Sequence, residues 1–130
     1  MVEQNKMQEI YKENILDHFK HPRNFGKLAG AHAGAKEVNT ICGDEVTVEL
    51  KVKVGEITDI KFHGQGCAIS QAAASILTEE VKGKKIEEVQ RMEKDDILKM
   101  LGIPISPARL KCALLALYAT KNALKQIRGR

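Results

Sequence analysis

A run of ten residues near the middle of the chain alternates strictly between polar and apolar side chains. In EVTVELKVKV, residues 45–54, valine or leucine occupies every second position from Val46 to Val54. Successive side chains of a β-strand point to opposite faces of the sheet, so the pattern predicts a strand with one buried face and one wet face. A one-sided sheet of this kind is antiparallel and needs helices over its apolar face.

The strand continues into a predicted β-hairpin. The chain turns at Gly55, and Thr58, Ile60 and Phe62 continue the alternation on the second arm, with their side chains expected on the buried face. A short third strand is expected around Lys36–Asn39. The glycine-rich loop ahead of that strand, of about fifteen residues, is long for a compact domain, which indicates mobility or a functional role.

Helical spacing predicts helices before and after the sheet. Ser70 is expected to cap a central helix that ends at Gly83, and one or two short helices follow over residues 86–101. Ser106 and Pro107 begin a long C-terminal helix. An N-terminal helix over residues 5–20 places its apolar side chains on one stripe, formed by Met7, Ile10, Tyr11, Ile15 and Phe19.

These elements predict an α+β domain, in which a small antiparallel sheet of about three strands packs with N-terminal, central and long C-terminal helices. The length of 130 residues suits a single domain over residues 1–130. No apolar run approaches the ~20 residues that span a bilayer. The N-terminus also lacks a signal-peptide core, so we expect a soluble cytoplasmic protein without a membrane partner.

Positive charge is concentrated at the C-terminal end. The net charge is +4, and the segment from Ile97 onward contains seven Lys or Arg and no acidic residue. This imbalance predicts a face that docks an acidic partner surface. Nucleic acid is not expected as a partner, because base stacking needs aromatic side chains and these are only 4% of the chain, with no Trp.

Three cysteines each lie at the boundary of a predicted element. Cys42 lies in the loop before the long strand, Cys67 between the hairpin and the central helix, and Cys112 in the second turn of the last helix. An odd number of cysteines without a secretion signal argues against a disulfide scaffold. Gly43 follows the first cysteine and Gly66 precedes the second, and glycine lets the backbone approach a bound group closely.

Free thiols of this kind have three interpretations, as small core residues, reactive nucleophiles or metal ligands. Cys112, within RLKCALLAL, suits packing and ligation equally, whereas the turn-like flanks of Cys42 and Cys67 are poor core positions. Asp44 stands two residues after Cys42, and three thiolates with one carboxylate suffice for a tetrahedral metal site. The spacings of 24 and 44 intervening residues match no C-x-x-C metal pattern.

Charged side chains flank these candidate ligands. His63 is either an exposed strand histidine or a donor that reaches the site. Lys111 and Arg109 flank Cys112 and would stabilise its thiolate if they lie close, and otherwise they belong to a solvated helix face. Two further histidines are expected to face the negative dipole end of the first helix, namely His18 and His21.

Four segments together resemble one family. They read YKENILDHFKHPRNFG, CGD, GQGCAISQAAAS and LKCALLAL, in that order. The same elements, similarly spaced, occur in the U-type iron–sulfur cluster assembly scaffolds, which include IscU, the N-terminal domain of NifU and SufU. The resemblance covers nearly the whole chain. It implies an α+β domain whose three cysteines and CGD aspartate surround one exposed site.

The resemblance also implies a function. Members of this family accept sulfur from a cysteine desulfurase, build a labile [2Fe–2S] cluster and pass it to apo-proteins, and many bind Zn²⁺ at the same site. We therefore expect a binding and carrier protein, not a turnover enzyme, and leave a homodimer open. The implied metal ligands are Cys42, Asp44, Cys67 and Cys112, with Lys111, Gly43 and Gly66 beside them.

Two features compare the chain with subgroups of this family. Lys111 stands immediately before the third cysteine. Isc-type members carry His at this position, so the lysine makes the chain more similar to SufU members. The insertion that SufU members usually carry between the second and third cysteines is absent. The alternative function is a zinc-dependent sulfurtransferase of SufU type, in which a zinc-held cysteine accepts persulfide sulfur.

Overall fold

The computed structural model describes residues 2–127, with side chains described from residue 8 onward. The predicted α+β class is confirmed, with one three-stranded antiparallel sheet in the order β1-β2-β3 and five helices among these residues. The strands are β1 (Ala33–Asn39), β2 (Asp44–Lys53) and β3 (Glu56–Gln65). The helices are α1 (Val2–Lys20), α2 (Ala68–Val81), α3 (Ile86–Gln90), α4 (Lys94–Leu101) and α5 (Pro107–Ile127).

One face of the sheet carries the core. Val46, Val48 and Leu50 of β2 are fully buried, as their alternation predicts, while the intervening polar residues are partly exposed. Helix α5 lies across β1 and β2, α2 lies against β3 and α5, and α1 packs on α2 from outside. Among residues 2–127, no helix combines the length and apolar character that a membrane span requires.

The hairpin differs from the simple alternation at its tip. Val54 has a φ of 52° and is 92% exposed, because it forms the turn with Gly55 instead of ending the buried stripe. The register shifts between Lys51 and Val52, which leaves Thr58 as an extra residue on β3. Thr58 is therefore exposed and Ile57 takes the buried position, so the predictions for Val54 and Thr58 are wrong.

The long loop between α1 and β1 is held against the outer edge of β3. The backbone N–H of Phe62 donates to the carbonyl of Asn24, and the N–H of Gly26 donates to the carbonyl of Phe62. The rings of Phe25 and Phe62 meet edge to face with centroids 5.3 Å apart. These contacts give the loop a structural role beside the sheet.

Helix α1 docks through a narrow contact that includes a buried histidine. His18 is 5% exposed, and its Nδ1 lies 2.7 Å from the Ser75 hydroxyl of α2, which also accepts the backbone N–H of Arg23. His18 lies in the last turn of α1, as the predicted dipole role requires, and it is in addition a packed polar anchor. Of the predicted apolar stripe, Ile15 is buried, Tyr11 is half-buried and Ile10 and Phe19 are exposed, while the side chain of Met7 lies outside the described residues.

Candidate metal centre

The ends of all three strands meet the first turns of α2 and α5 at one end of the sheet. A cavity of about 620 Å³ lies there. It is lined by residues 42–44 before and at the start of β2, residues 65–67 from the end of β3 to the N-cap of α2, and Ala108, Arg109 and Cys112 of α5. All three cysteines therefore border one cavity, although long stretches of sequence separate them.

Three of the four predicted ligands lie together in this cavity. One ligand atom from each of Asp44, Cys67 and Cys112 falls within 4.8 Å of the other two. In a tetrahedral zinc site with Zn–S bonds of about 2.3 Å, the ligand atoms are about 3.8 Å apart. A shift of roughly an ångström would bring the three groups to that spacing, so the donor set fits a thiophilic metal.

Asp44 is held in place by the residue it faces. Its carboxylate is buried, with Oδ1 accepting the backbone N–H of Cys67 at 3.3 Å and Oδ2 accepting the Cys67 thiol at 3.4 Å. The carboxylate approaches this closely because Gly66 has no side chain. A Cβ at Gly66 would lie 2.7 Å from Asp44 Cγ and 2.6 Å from Ser70 Oγ, closer than real Cβ contacts allow.

Cys67 occupies the N-cap position of α2, a role predicted for Ser70. The helix begins at Ala68, and Ser70 lies inside its first turn, where its hydroxyl donates to the Cys67 carbonyl. The first turn of α2 contains no acidic residue. The carboxylate that faces the positive end of this helix dipole is that of Asp44, which accepts the N–H of the N-cap residue.

Cys112 is the most deeply placed of the three thiols, at 1% exposed. Burial is the main reason that its pKa is raised to about 12, and the neighbouring Asp44 carboxylate contributes to the shift. Asn39 Nδ2 donates to Cys112 Sγ at 3.4 Å, while Asn39 Oδ1 accepts the backbone N–H of Ile41. Cys112 is thus both a packed residue and a member of the cluster.

Asn39 is a site residue that sequence reasoning missed. It is buried at the end of β1, paired in register with Asp44 at the start of β2. The available signal was the asparagine itself, at the point where β1 passes into a turn. Asparagine is disfavoured within strands and common in turns, where its side chain bonds nearby backbone groups. Its position under Cys112 depends on how α5 crosses the sheet, which the local sequence does not contain.

Cys42 differs from the other candidate ligands. It is exposed, lies in the turn between β1 and β2, and falls outside the three-residue cluster, although it lines the same cavity. Gly43 beside it has a φ of 74°, a left-handed conformation that glycine adopts without strain, and its N–H donates to the Asn39 carbonyl.

The flanking charges divide between two surfaces. Arg109 lines the cysteine cavity, whereas Lys111 lines a neighbouring groove with Tyr118. Lys111, which was expected beside the ligands, is therefore not among the residues that line the cavity. Nε2 of His63 lies 3.7 Å from Oε1 of Glu49 on the sheet. His63 is not among the residues that line the cavity, so it does not serve as a donor there.

A family model places this architecture among known proteins. The model of the NifU-like N-terminal domain matches residues 10–130. The chain belongs to this family. Its membership accounts for the resemblance that the cysteine-containing segments indicate.

Relatives within the family are similar over most of the chain. An Archaeoglobus fulgidus protein named iron-sulfur cluster assembly scaffold protein IscU 1 is 38% identical, covering 88% of this chain and 74% of its own. The zinc-dependent sulfurtransferase SufU of Bacillus subtilis is 34% identical, with 92% of each chain covered. A crystal structure from Fervidobacterium islandicum, described as a putative scaffold protein for the SUF system, has a TM-score of 0.78 at 31% identity and covers 89% of this chain and 97% of its own.

Proposed function

We propose that this protein is a scaffold for the assembly of a labile [2Fe–2S] cluster, which it passes to apo-proteins. The observation that carries the proposal is the cavity in which Asp44, Cys67 and Cys112 converge and which Cys42 also borders. The names of the scaffold relatives support the same function.

The mixed donor set suits a cargo that must leave. Thiolates bind iron and sulfide strongly, whereas a carboxylate is a harder and weaker partner for the same metals. Cys42 lies on an exposed turn, so the cavity opens to solvent beside at least one ligand. A site built to retain a cluster would instead be closed by four strong ligands.

Sulfur enters as the terminal sulfur of a persulfide on a cysteine desulfurase. We assign first contact to Cys42, because it is the exposed thiol of the three. Its thiolate attacks the outer sulfur of the donor R–S–S⁻, a Cys42–S–S⁻ persulfide forms, the donor S–S bond breaks and R–S⁻ leaves. The step conserves charge and needs no external oxidant or reductant.

The proposal is tested by anaerobic purification, a visible spectrum and quantification of iron, acid-labile sulfide and zinc. We expect a coloured protein with iron and sulfide in equal amounts, which transfers its cluster to an apo-ferredoxin. A protein that binds neither iron nor zinc after reconstitution would contradict the assignment of the site.

The alternative is a zinc-dependent sulfurtransferase, in which zinc holds the cysteine that accepts persulfide sulfur. It is favoured by the convergence of three donors in one cavity and by the similarity to the Bacillus subtilis protein. Adding the zinc form to a cysteine desulfurase distinguishes the two functions. Zinc-dependent stimulation of turnover, without cluster assembly from iron and sulfide, would replace the scaffold proposal.

The carboxylate allows a sharper test. For Asp44→Ala we expect a longer-lived cluster, because the weak oxygen ligand is removed and access to the site changes. The measurement is the decay of visible absorbance after reconstitution, compared with the wild-type chain under the same oxygen exposure. Faster decay in Asp44→Ala would show that the carboxylate stabilises the cluster.

A further inference from the structure

Any sulfur donor that approaches the cysteine cavity meets like charge. A persulfide R–S–S⁻ and hydrosulfide HS⁻ are anions, and so are the attacking Cys42 thiolate and the Asp44 carboxylate, two groups that line the same cavity. Two anions in contact repel each other unless a cation lies nearby. This problem follows from the proposed function, and the inference below rests on that function for its biological meaning.

Arg109 is the cationic side chain among the described residues that line the cavity. It lies in the first turn of α5, three residues before Cys112, and its backbone N–H donates to the Ser106 carbonyl. Within the described part of the chain its guanidinium forms no ion pair, and its side chain is exposed. Arg109 therefore brings to the edge of the cavity an exposed positive charge that is not neutralised by a carboxylate of the described residues.

We propose that Arg109 is a positioning residue that selects anionic sulfur donors at the mouth of the cysteine cavity. Its charge lowers the repulsion between the incoming R–S–S⁻ and the Cys42 thiolate, and it holds the donor while sulfur is transferred. A guanidinium suits this role because it stays protonated at all relevant pH values and is weakly hydrated. The positive ends of α2 and α5 act in the same direction.

Lys111 provides the matched comparison. It carries the same charge two residues further along α5, is also exposed, and lines the groove beside Tyr118 instead of the cavity. If the effect were a property of the basic C-terminal segment as a whole, removing either charge would act equally. If it belongs to the cavity, only Arg109 matters.

The test compares an anionic and a neutral reagent at the same thiol. Iodoacetate and iodoacetamide both alkylate thiolates, so the ratio of their rates at Cys42 reports the local electric field and cancels the ionisation of the thiol. The rates are measured in the full-length, chelator-treated protein by mass spectrometry of the Cys42 peptide. Circular dichroism of each variant verifies that it is folded.

We expect Arg109→Gln to lower the iodoacetate-to-iodoacetamide ratio about threefold at low ionic strength, which is the effect of one unit charge several ångströms away in a water-like medium. Arg109→Lys should retain most of the ratio, and Lys111→Gln should change it little. The difference should vanish in about 1 M salt, where the Debye length is about 3 Å.

An unchanged ratio in Arg109→Gln, an equal fall in Lys111→Gln, or a difference that persists in high salt would each overturn the inference. None of these measurements depends on cluster assembly. If the wild-type chain builds no cluster but Arg109→Gln lowers the ratio, the proposed function fails while the role of Arg109 stands.

Discussion

The two sides of the cysteine cavity are built differently. Asp44, Cys67 and Cys112 lie near the ends of packed elements, where hydrogen bonds join Asp44 to Cys67 and Cys112 to Asn39. Cys42 lies outside this cluster, in a short turn next to Ile41, which is 86% exposed. The packed side can hold a metal in fixed geometry, whereas the turn can exchange groups with solvent or a partner. Retention and exchange are thus assigned to different parts of one site.

The largest expected difference is in cluster and metal binding, when one thiol is removed from each side. Cys112→Ser should abolish stable cluster assembly, because it removes a ligand from the packed side while nearly preserving its shape. Cys42→Ser should still bind zinc through the three remaining ligands. Iron, sulfide and zinc contents after reconstitution give the comparison. An unchanged cluster yield in Cys112→Ser would remove Cys112 from the site.

Reactivity toward neutral iodoacetamide should differ by orders of magnitude across the cavity. With a pKa of about 12, Cys112 has a thiolate fraction of about 10⁻⁴ at pH 8, and its side chain is buried as well. We expect exposed Cys42 to react at least about a hundredfold faster. The Cys112 rate should rise about tenfold per pH unit between pH 8 and 11. A plateau below pH 10 would contradict the raised pKa.

Replacing one glycine on each side by alanine compares how much packing around each side contributes to the free energy of unfolding. Gly66→Ala should lower the free energy of unfolding by about 2–3 kcal/mol, because its methyl group collides with Asp44 and Ser70. Gly43→Ala should lower it by only about 1 kcal/mol, since no atom lies within 4 Å of its Cβ position and the strained φ remains the sole penalty. Urea unfolding of both variants measures the difference. Equal losses would mean that the turn is packed as tightly as the other side.

The smallest effect concerns the helix that packs behind the site. Burial, followed by the charge of Arg23, lowers the pKa of His18, while Glu79 and Asp17 oppose the shift. The unfolded chain therefore takes up a proton below about pH 6.5 that the folded chain does not. The stability contribution is present above that pH and is lost as pH falls, by up to about 1.4 kcal/mol per unit.

Urea unfolding between pH 7.5 and 5.5 measures this dependence. His18→Gln should flatten the slope, because glutamine does not titrate. The control is His21→Gln, which removes an imidazole from an exposed position just after the end of α1 and so accounts for the loss of a histidine that is not packed. A slope that His18→Gln does not alter would assign the pH dependence to other groups.

Local sequence determined the elements of this protein because hydrophobic periodicity acts over a few neighbouring residues. The buried stripe from Val46 to Leu50 and the start of α5 at Pro107 are confirmed on that basis. The same reasoning failed at Thr58, since a register shift is a relation between two strands. It also did not reveal the burial of His18, because only the packing of α1 on α2 provides the hydroxyl of Ser75.

The candidate site divides in the same way. Glycine neighbours and turn-like flanks singled out Cys42 and Cys67 from the sequence, since such flanks describe local backbone. Only the tertiary structure placed Asn39 under Cys112 and directed Arg109, instead of Lys111, to the cavity. Both outcomes depend on the rotation of α5 against the sheet. That rotation is set by the fit of side chains between two surfaces distant in sequence, which no single segment encodes.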